Sequence, residues 1–130
     1  GATRAFGPGN PALAKFYQDT GQPVIVGGSM ETGSYLLVGT KKAEEETFGS
    51  TMHGSGRTMS RTQAKQMIKG NELQKDMAKK GIYVEATSYS GLAEEAGFAY
   101  KDINEVIRTM DIAGITKPVV QLRPIGNVKG

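Results

Sequence analysis

The stretch QPVIVGGSMETGSYLLVGT, residues 22–40, contains two short apolar runs, and each of them is closed by glycine. A short apolar run bounded by turn residues is typical of a buried β-strand. We therefore predict strands over 22–28 and 34–40, joined by the tight connection GSMETG. This strand pair is followed by helices mixed with isolated strands, an order that favours an α+β fold over a regular alternation of strands and helices.

Helices are predicted where apolar side chains recur with helical spacing between a capping residue and a glycine. The stretch DINEVIRTMDIAG, 102–114, is the clearest case, because Asp102 and Glu105 have the spacing of a capping box. Two further helices are predicted over 60–70 and 71–81, each ending at a glycine. The remaining predictions are a loop over 1–22 with a short helix near 13–18, strands over 82–86 and 119–122, a short helix over 91–97, and either strand or helix for the acidic segment 43–48.

The composition fits one small domain with a modest core. The chain has 130 residues, of which 38% are hydrophobic, and a domain of this size buries about two-thirds of its unfolded surface. Its 18 glycines indicate many turns, and no apolar run approaches the roughly 20 residues of a membrane span. The absence of cysteine excludes disulfides and thiolate metal sites and fits a cytosolic protein. The net charge of +3 favours polyanionic partners only weakly.

The only histidine, His53, lies in the glycine-rich stretch GSTMHGSGRTMSR, residues 49–61. Backbone amides in such a loop can converge on a phosphate, and the forked donors of Arg57 and Arg61 suit the same anion. An imidazole in this setting can shuttle protons or attack phosphorus. The alternative is a solvated turn with surface arginines, in which the ring is merely hydrogen-bonded, and these residues alone leave both interpretations open.

Two other features allow a functional and a structural interpretation. The loop GGSMETGS, 27–34, is either an ordinary hairpin turn or a second wall of a pocket shared with the histidine loop. The segment AYKD, 99–102, is typical of packing followed by a helix N-cap. Lys129 lies one residue from the C-terminus, where lysines are usually frayed and solvated.

Taken together, five stretches resemble the C-terminal part of the RtcB-type RNA-splicing ligases and occur in that family's order. They are GATRAF, GQPVIVGGSMETGSYLLVGT, EETFGSTMHGSGRTMSR, GLAEEAGFAYKD and LRPIGNVKG. The resemblance extends over the whole chain, which begins at Gly1 without a methionine, and it predicts that residues 1–130 are a single partial domain of a longer protein. It implies an α+β fold with mixed sheets flanked by helices around a deep cleft, of which this chain would form one wall.

The resemblance implies a ligase that uses GTP and manganese to join RNA ending in a 2′,3′-cyclic phosphate or 3′-phosphate to RNA with a 5′-hydroxyl, in tRNA splicing and RNA repair. In the family the histidine of this loop attacks the α-phosphate of GTP and carries GMP covalently, and the matching residue here is His53. Arg57 and Arg61 match arginines that hold RNA or phosphate. The positions matching the family's GMP contacts are Gly27, Gly28, Ser29, Met30, Ser34, Gly54, Ser55, Gly56, Tyr100 and Lys129.

A single histidine without cysteine cannot supply the several ligands that a catalytic transition metal commonly needs. The resemblance places the manganese ligands upstream of Gly1, so we expect this chain alone to bind no catalytic manganese and not to ligate. The alternative function is a nucleotide- or RNA-binding module without chemistry of its own. The family further implies RNA as partner, no membrane partner and a cytoplasmic location, and it leaves open the need for an activating protein and the oligomeric state.

The chain departs from residues that are common in the family at four positions. Cysteine is common at the position of Met52, glycine at Glu31, proline at Gly97, and a small or apolar residue at Asn127. None of these is the nucleophile. Glu31 is expected to place an extra negative charge inside a nucleotide-binding loop.

Overall fold

The computed structural model describes residues 1–129, which form an α+β fold, as predicted. Its helices are α1 (Lys41–Thr47), α2 (Arg61–Met67), α3 (Gly70–Lys79), α4 (Tyr89–Glu94) and α5 (Ile103–Ile112), with short 3-10 turns over Lys15–Tyr17 and Gly97–Ala99. Its strands are β1 (Ala2–Arg4), β2 (Pro23–Gly27), β3 (Ser34–Gly39), β4 (Ser50–Met52), β5 (Tyr83–Ala86), β6 (Thr116–Leu122) and β7 (Gly126–Lys129).

The central sheet has the antiparallel order β2-β3-β6, and the predicted hairpin is its first pair. Gly27 pairs with Ser34, so residues 28–33 form the connection. Successive side chains in a strand point to opposite faces, which is why Val24 and Val26 are buried while Ile25 is exposed. The prediction of a strand was therefore right, but only one of its faces is buried.

Helix α5 covers the buried face of this sheet. Ile103 and Ile107 pack with Val24 and Val26 in the first of two cores. The Asp102 side chain accepts a hydrogen bond from the Asn104 amide and caps the helix, as its position before the apolar stripe predicts. This helix fixes one wall of the region in which the histidine loop lies.

The second core is built by α3, α4 and β5, and it includes Leu73, Met77 and Leu92. Helix α3 ends before Gly81, which has a positive φ of 76°, a conformation that glycine adopts without strain. The parallel pairing of β5 with β7 holds the C-terminal strand against this core. Lys129 therefore ends a paired strand.

The glycine at position 70 was interpreted wrongly as the end of a helix. Helix α2 begins at a capping box formed by Ser60 and Gln63, ends at Met67, and Gly70 is the first residue of α3. A Cβ atom at this position would collide with the backbone of Tyr89. The residue is glycine because two helix starts approach closely there.

Some elements were predicted only as one of two alternatives, only in part, or not at all. The acidic segment 43–48 lies mostly in α1, whose Thr40 side chain accepts a hydrogen bond from the Ala43 amide. Strands β1 and β4 have three residues each and pair with one another, and β6 begins three residues before the predicted strand and tolerates Pro118 because it is an edge strand. Within the described residues, none of the helices has the length and apolar character needed to cross a bilayer.

Candidate nucleotide site

The structure places the two glycine-rich loops side by side. Gly27 and Gly54 form an isolated parallel bridge, in which the Ser55 amide donates to the Gly27 carbonyl at 2.9 Å. The segment 56–58 in turn pairs with 99–101, because the Thr58 amide donates to the carbonyl of Ala99 at 2.9 Å. Residues far apart in sequence thus meet at one edge of the molecule.

A pocket of about 230 Å³, which we call the small pocket, lies on the Gly27 side of this bridge. Two of its lining residues, Glu95 and Asn127, were not among the predicted site residues. The other lining residues are all predicted nucleotide contacts, namely Gly27, Gly28, Ser29, Met30, Ser34, Tyr100 and Lys129.

A larger cavity of about 800 Å³, the large cleft, lies on the Gly54 side. The predicted residues His53, Gly54, Ser55 and Gly56 form one of its walls. Further lining residues come from α5 and the segment before it, including Lys101, Asp102 and Glu105. The two cavities adjoin at the Gly27–Gly54 bridge.

The imidazole of His53 is exposed and has one polar partner, the Gly1 carbonyl oxygen, which lies 2.8 Å from Nδ1. A carbonyl oxygen only accepts hydrogen bonds, so in the neutral ring Nδ1 carries the proton and Nε2 carries the lone pair. The antiparallel pairing of Ala2 with Met52 brings Gly1 to this position. No local pattern around His53 indicates this contact.

Ser55 has a buried hydroxyl without a hydrogen-bond partner among residues 1–129. An unsatisfied buried hydroxyl costs free energy, and a ligand can supply the missing partner after a small rearrangement. Thr116 shares this property, but it lies in the central sheet and lines neither cavity.

The loop 28–33 is fixed by contacts with three other elements. Its Met30 side chain is buried in the second core, and Asn127 Nδ2 donates to the Met30 carbonyl at 3.1 Å. Glu31 accepts a hydrogen bond from the Gly97 amide at 2.6 Å and another from Lys80 Nζ at 2.8 Å. The hydrogen bond to Glu31 raises the pKa of Lys80. The expectation of an extra charge inside the nucleotide loop is therefore corrected, because the Glu31 carboxylate is paired and does not line the small pocket.

The Glu95 carboxylate is approached by several of the predicted site residues. The Tyr100 hydroxyl donates to it at 2.5 Å, and Lys129 Nζ lies 3.7 Å away. Arg57 and Arg61 approach the same carboxylate at 3.6 and 3.9 Å. Burial raises the pKa of the Tyr100 hydroxyl, and the hydrogen bond to Glu95 raises it further, so the hydroxyl stays protonated as a donor. The adjacent acidic pair in GLAEEAG, close to Tyr100 in sequence, was the available signal for Glu95.

The two predicted RNA-contacting arginines differ in their surroundings. Arg57 donates to the carbonyl oxygens of Glu94 and Met59 and to the Tyr100 hydroxyl, and its guanidinium lies 4.9 Å from the centre of the Tyr100 ring. Arg61 is 65% exposed, and its polar partners within residues 1–129 are carboxylate oxygens at 3.7 Å and 3.9 Å. Arg57 therefore holds Tyr100 and the end of α4 together, whereas Arg61 has donors available to a ligand.

Manganese does not fit the residues that the structure describes. No three His, Cys, Asp or Glu side chains within 1–129 are grouped so that they could hold a metal ion.

Comparison with known proteins gives the family. The sequence model of tRNA-splicing ligase RtcB matches residues 1–130. The tRNA-splicing ligase RtcB of Archaeoglobus fulgidus is 56% identical over all of this chain and 27% of its own length. That of Pyrococcus abyssi is 50% identical over 14% of its length, and the RNA-splicing ligase RtcB homolog 2 of Entamoeba dispar is 51% identical over 25%, again with the whole chain covered.

The molecule is thus an α+β protein in which glycine-rich loops enclose a small polar pocket beside an exposed histidine. The chain belongs to the RtcB family of tRNA-splicing ligases, which confirms the resemblance seen in its sequence. It spans about a quarter or less of the length of the relatives described above.

Proposed function

We propose that this chain is the C-terminal, nucleotide-carrying segment of an RNA ligase that uses GTP. The longer protein would join RNA with a 2′,3′-cyclic phosphate or 3′-phosphate to RNA with a 5′-hydroxyl, in tRNA splicing and RNA repair in the cytoplasm. Family membership over residues 1–130 supports the RNA ligase class. The finer assignment depends on His53.

The observation that carries the proposal is the position of His53 Nδ1, which lies 2.8 Å from the Gly1 carbonyl oxygen. Because Nδ1 is held as a donor by the Gly1 carbonyl, the lone pair of Nε2 is available as the nucleophile. Nε2 would attack the α-phosphorus of GTP, an N–P bond would form, and the bond from phosphorus to the bridging oxygen would break to release pyrophosphate. The positive charge gained by the ring would be stabilised by the Gly1 carbonyl dipole.

The small pocket suits the rest of the nucleotide. Lys129 offers an ammonium donor and Tyr100 lines the same pocket, while a Cβ at Gly27 would have no atom within 4 Å, so a ligand can approach the backbone there. The bridge of Gly27 with Gly54 connects this pocket to the histidine loop. In this arrangement the nucleoside would lie on the Gly27 side and the phosphates on the Gly54 side.

Manganese, in this proposal, is held by residues outside the 130-residue chain. The described part of the chain has no ligand cluster, so the isolated segment would neither hold the metal nor ligate RNA. When bound in the longer protein, the metal would supply positive charge at the phosphoryl oxygens.

The test is labelling of the longer protein with α-³²P-GTP and manganese. Wild type should acquire acid-labile, alkali-stable label, and His53→Ala should acquire none. His53→Asn is the matched control, because its amide can still donate to the Gly1 carbonyl while the nucleophilic nitrogen is gone. Label on His53→Asn would show that another residue is the nucleophile.

A binding module without chemistry is the second candidate. It is favoured by the lack of a metal cluster in the described residues, together with the polar residues of this chain that line the small pocket. A fluorescent GTP analogue distinguishes the two functions. Binding by the longer protein without covalent labelling would support the module and contradict the ligase.

A further inference from the structure

The network around Glu95 is not explained by nucleotide contacts alone. Glu95 follows α4, is partly buried, and lines the small pocket. Three cations and one phenol approach its single carboxylate, namely Arg57, Arg61, Lys129 and Tyr100. All four belong to the residues assigned above to nucleotide or RNA.

We propose that Glu95 is the positioning residue of the small pocket, which fixes the Lys129 ammonium and the Tyr100 hydroxyl where a nucleotide can meet them. This inference rests on the proposed function, because it assumes that the small pocket takes GTP.

Lys129 is the residue for which this positioning matters most. Its backbone is fixed, since β7 pairs with β5 and the Thr87 amide donates to its carbonyl at 3.0 Å. Its side chain has four rotatable bonds, whose freedom must be restricted when a ligand binds. A carboxylate 3.7 Å from Nζ restricts that freedom before the ligand arrives.

Tyr100 is held from two sides. Its hydroxyl donates to Glu95 and accepts from Arg57 Nη1 at 3.1 Å, while the Arg57 guanidinium lies over its ring. Arg57 also donates to the Glu94 carbonyl at 2.7 Å, which connects the ring to the end of α4. The orientation of the ring therefore depends on Glu95 and Arg57 together.

Glu94 provides the matched control. It has the same side chain and also approaches Arg61, at 3.7 Å, but its carboxylate forms its closest contact with Lys65 at 2.8 Å and does not line the small pocket. Substitution of either residue removes one negative charge at nearly the same place. Only substitution of Glu95 removes the partner of Lys129 and Tyr100.

Positioning and simple charge make opposite predictions for Glu95→Gln. GTP is an anion, so loss of a nearby negative charge would tighten its binding if charge alone mattered. If Glu95 acts by positioning, the affinity of the longer protein for a fluorescent GTP analogue should fall by about tenfold, and Glu94→Gln should stay within about twofold of wild type. Unchanged or tighter binding by folded Glu95→Gln would overturn the inference.

Two further measurements keep the inference testable. In a double-mutant cycle, Glu95→Gln should weaken binding less in a Tyr100→Phe background, because the hydroxyl it orients is absent. Without nucleotide, acetylation of Lys129 by acetic anhydride, followed by mass spectrometry, should be faster in Glu95→Gln than in wild type. An equal acetylation rate would contradict the positioning role. Failure of wild type to bind GTP would instead contradict the proposed function.

Discussion

The small pocket and the large cleft adjoin at the Gly27–Gly54 bridge, yet they differ in size and in how their side chains are held. The small pocket is enclosed by the hairpin loop, the segment around Tyr100 and the C-terminal strand, and its cations have a carboxylate among them. The large cleft is more than three times as large, and His53 on its wall is exposed with one polar partner. The chain thus has a small polar pocket with paired side chains beside a larger cleft with an exposed histidine.

The position of the small pocket between two cores explains why its loop 28–33 is well fixed. Strands β2 and β3 belong to the core covered by α5, whereas Met30, in the loop between them, is buried in the core of α3, α4 and β5. The loop is therefore held at both ends by one core and in the middle by the other. By contrast, the second core as described for residues 1–129 includes no side chain of the histidine loop 49–61.

The largest expected effect is a loss of stability on substitution in the small-pocket loop, residues 28–33. In Gly28→Ala the new Cβ would meet the Gly33 carbonyl and the Thr32 hydroxyl at 2.7 Å each, so we expect a loss of about 3 kcal/mol in the free energy of unfolding, measured by urea denaturation of this chain. Gly27→Ala is the control, since its Cβ meets nothing within 4 Å. It should unfold like wild type and yet weaken GTP binding, because the ligand needs that space. Equal stability of the two variants would show that the loop is not fixed in this conformation.

The second effect separates the two arginines. Arg57→Ala leaves the Glu94 carbonyl and the Tyr100 hydroxyl without their donor, so it should cost about 2 kcal/mol of stability. Arg61→Ala should change stability by less than about 0.5 kcal/mol, because the side chain is mostly exposed. In the longer protein, Arg61→Ala should weaken RNA binding. The slope of log K against log salt concentration should become shallower by about 1, as expected for the loss of one phosphate contact. A salt dependence that is unchanged would remove Arg61 from the RNA interface.

The third effect tests the division between the cavities directly. Lys129→Ala should weaken binding of a fluorescent GTP analogue to the longer protein by about tenfold, since a charged donor in the small pocket is lost. Lys101→Ala removes a lysine of the large cleft instead and should leave the nucleoside end of the ligand undisturbed, so guanosine should bind it as it binds wild type. Lys129→Ala, in contrast, should weaken guanosine binding, because Lys129 lines the small pocket. If the two variants weaken guanosine binding equally, the nucleoside does not lie in the small pocket.

Local patterns in the sequence predicted the elements that local contacts stabilise. The hairpin over 22–40 and the capped helix after Asp102 carry their own turn and capping residues, so both were predicted correctly. Strands β1 and β4 are too short to be stable alone and exist because each has the other as partner. The same limit applies to the site, where the contact of His53 with Gly1 joins residues 52 positions apart.

Most of the predicted site residues were implied by the family resemblance, although the glycine-rich loop alone also indicates His53, Arg57 and Arg61. The residues that were missed show the limit of local patterns. Asn127 reaches the Met30 carbonyl across 97 positions of sequence, and no local pattern marks it. Glu95 lies in a short acidic run that is equally typical of a solvated helix. Arg57 and Arg61 look alike in the sequence, and only the fold distinguishes the enclosed guanidinium from the exposed one.

The smallest effect concerns Glu31, whose contacts hold the small-pocket loop from outside. Glu31→Ala should lower the free energy of unfolding by about 1 kcal/mol, because the Gly97 amide loses its acceptor. The ion pair with Lys80 adds little to this loss, because the Lys80 side chain is largely exposed. Glu45→Ala, on the exposed part of α1, is the control and should unfold like wild type.

The pH dependence of this effect has a definite sign. Folding raises the pKa of Lys80 above its ordinary value of 10.5, chiefly through the hydrogen bond to Glu31, so the stability that this pair contributes is fully present below that value. It is lost as pH rises through the higher pKa of the folded state. The difference in unfolding free energy between wild type and Glu31→Ala should therefore be constant from pH 7 to pH 9 and shrink only above about pH 10.5. What remains at high pH is the contribution of the Gly97 amide. A difference that vanished there would show that Lys80, and not Gly97, anchors the loop.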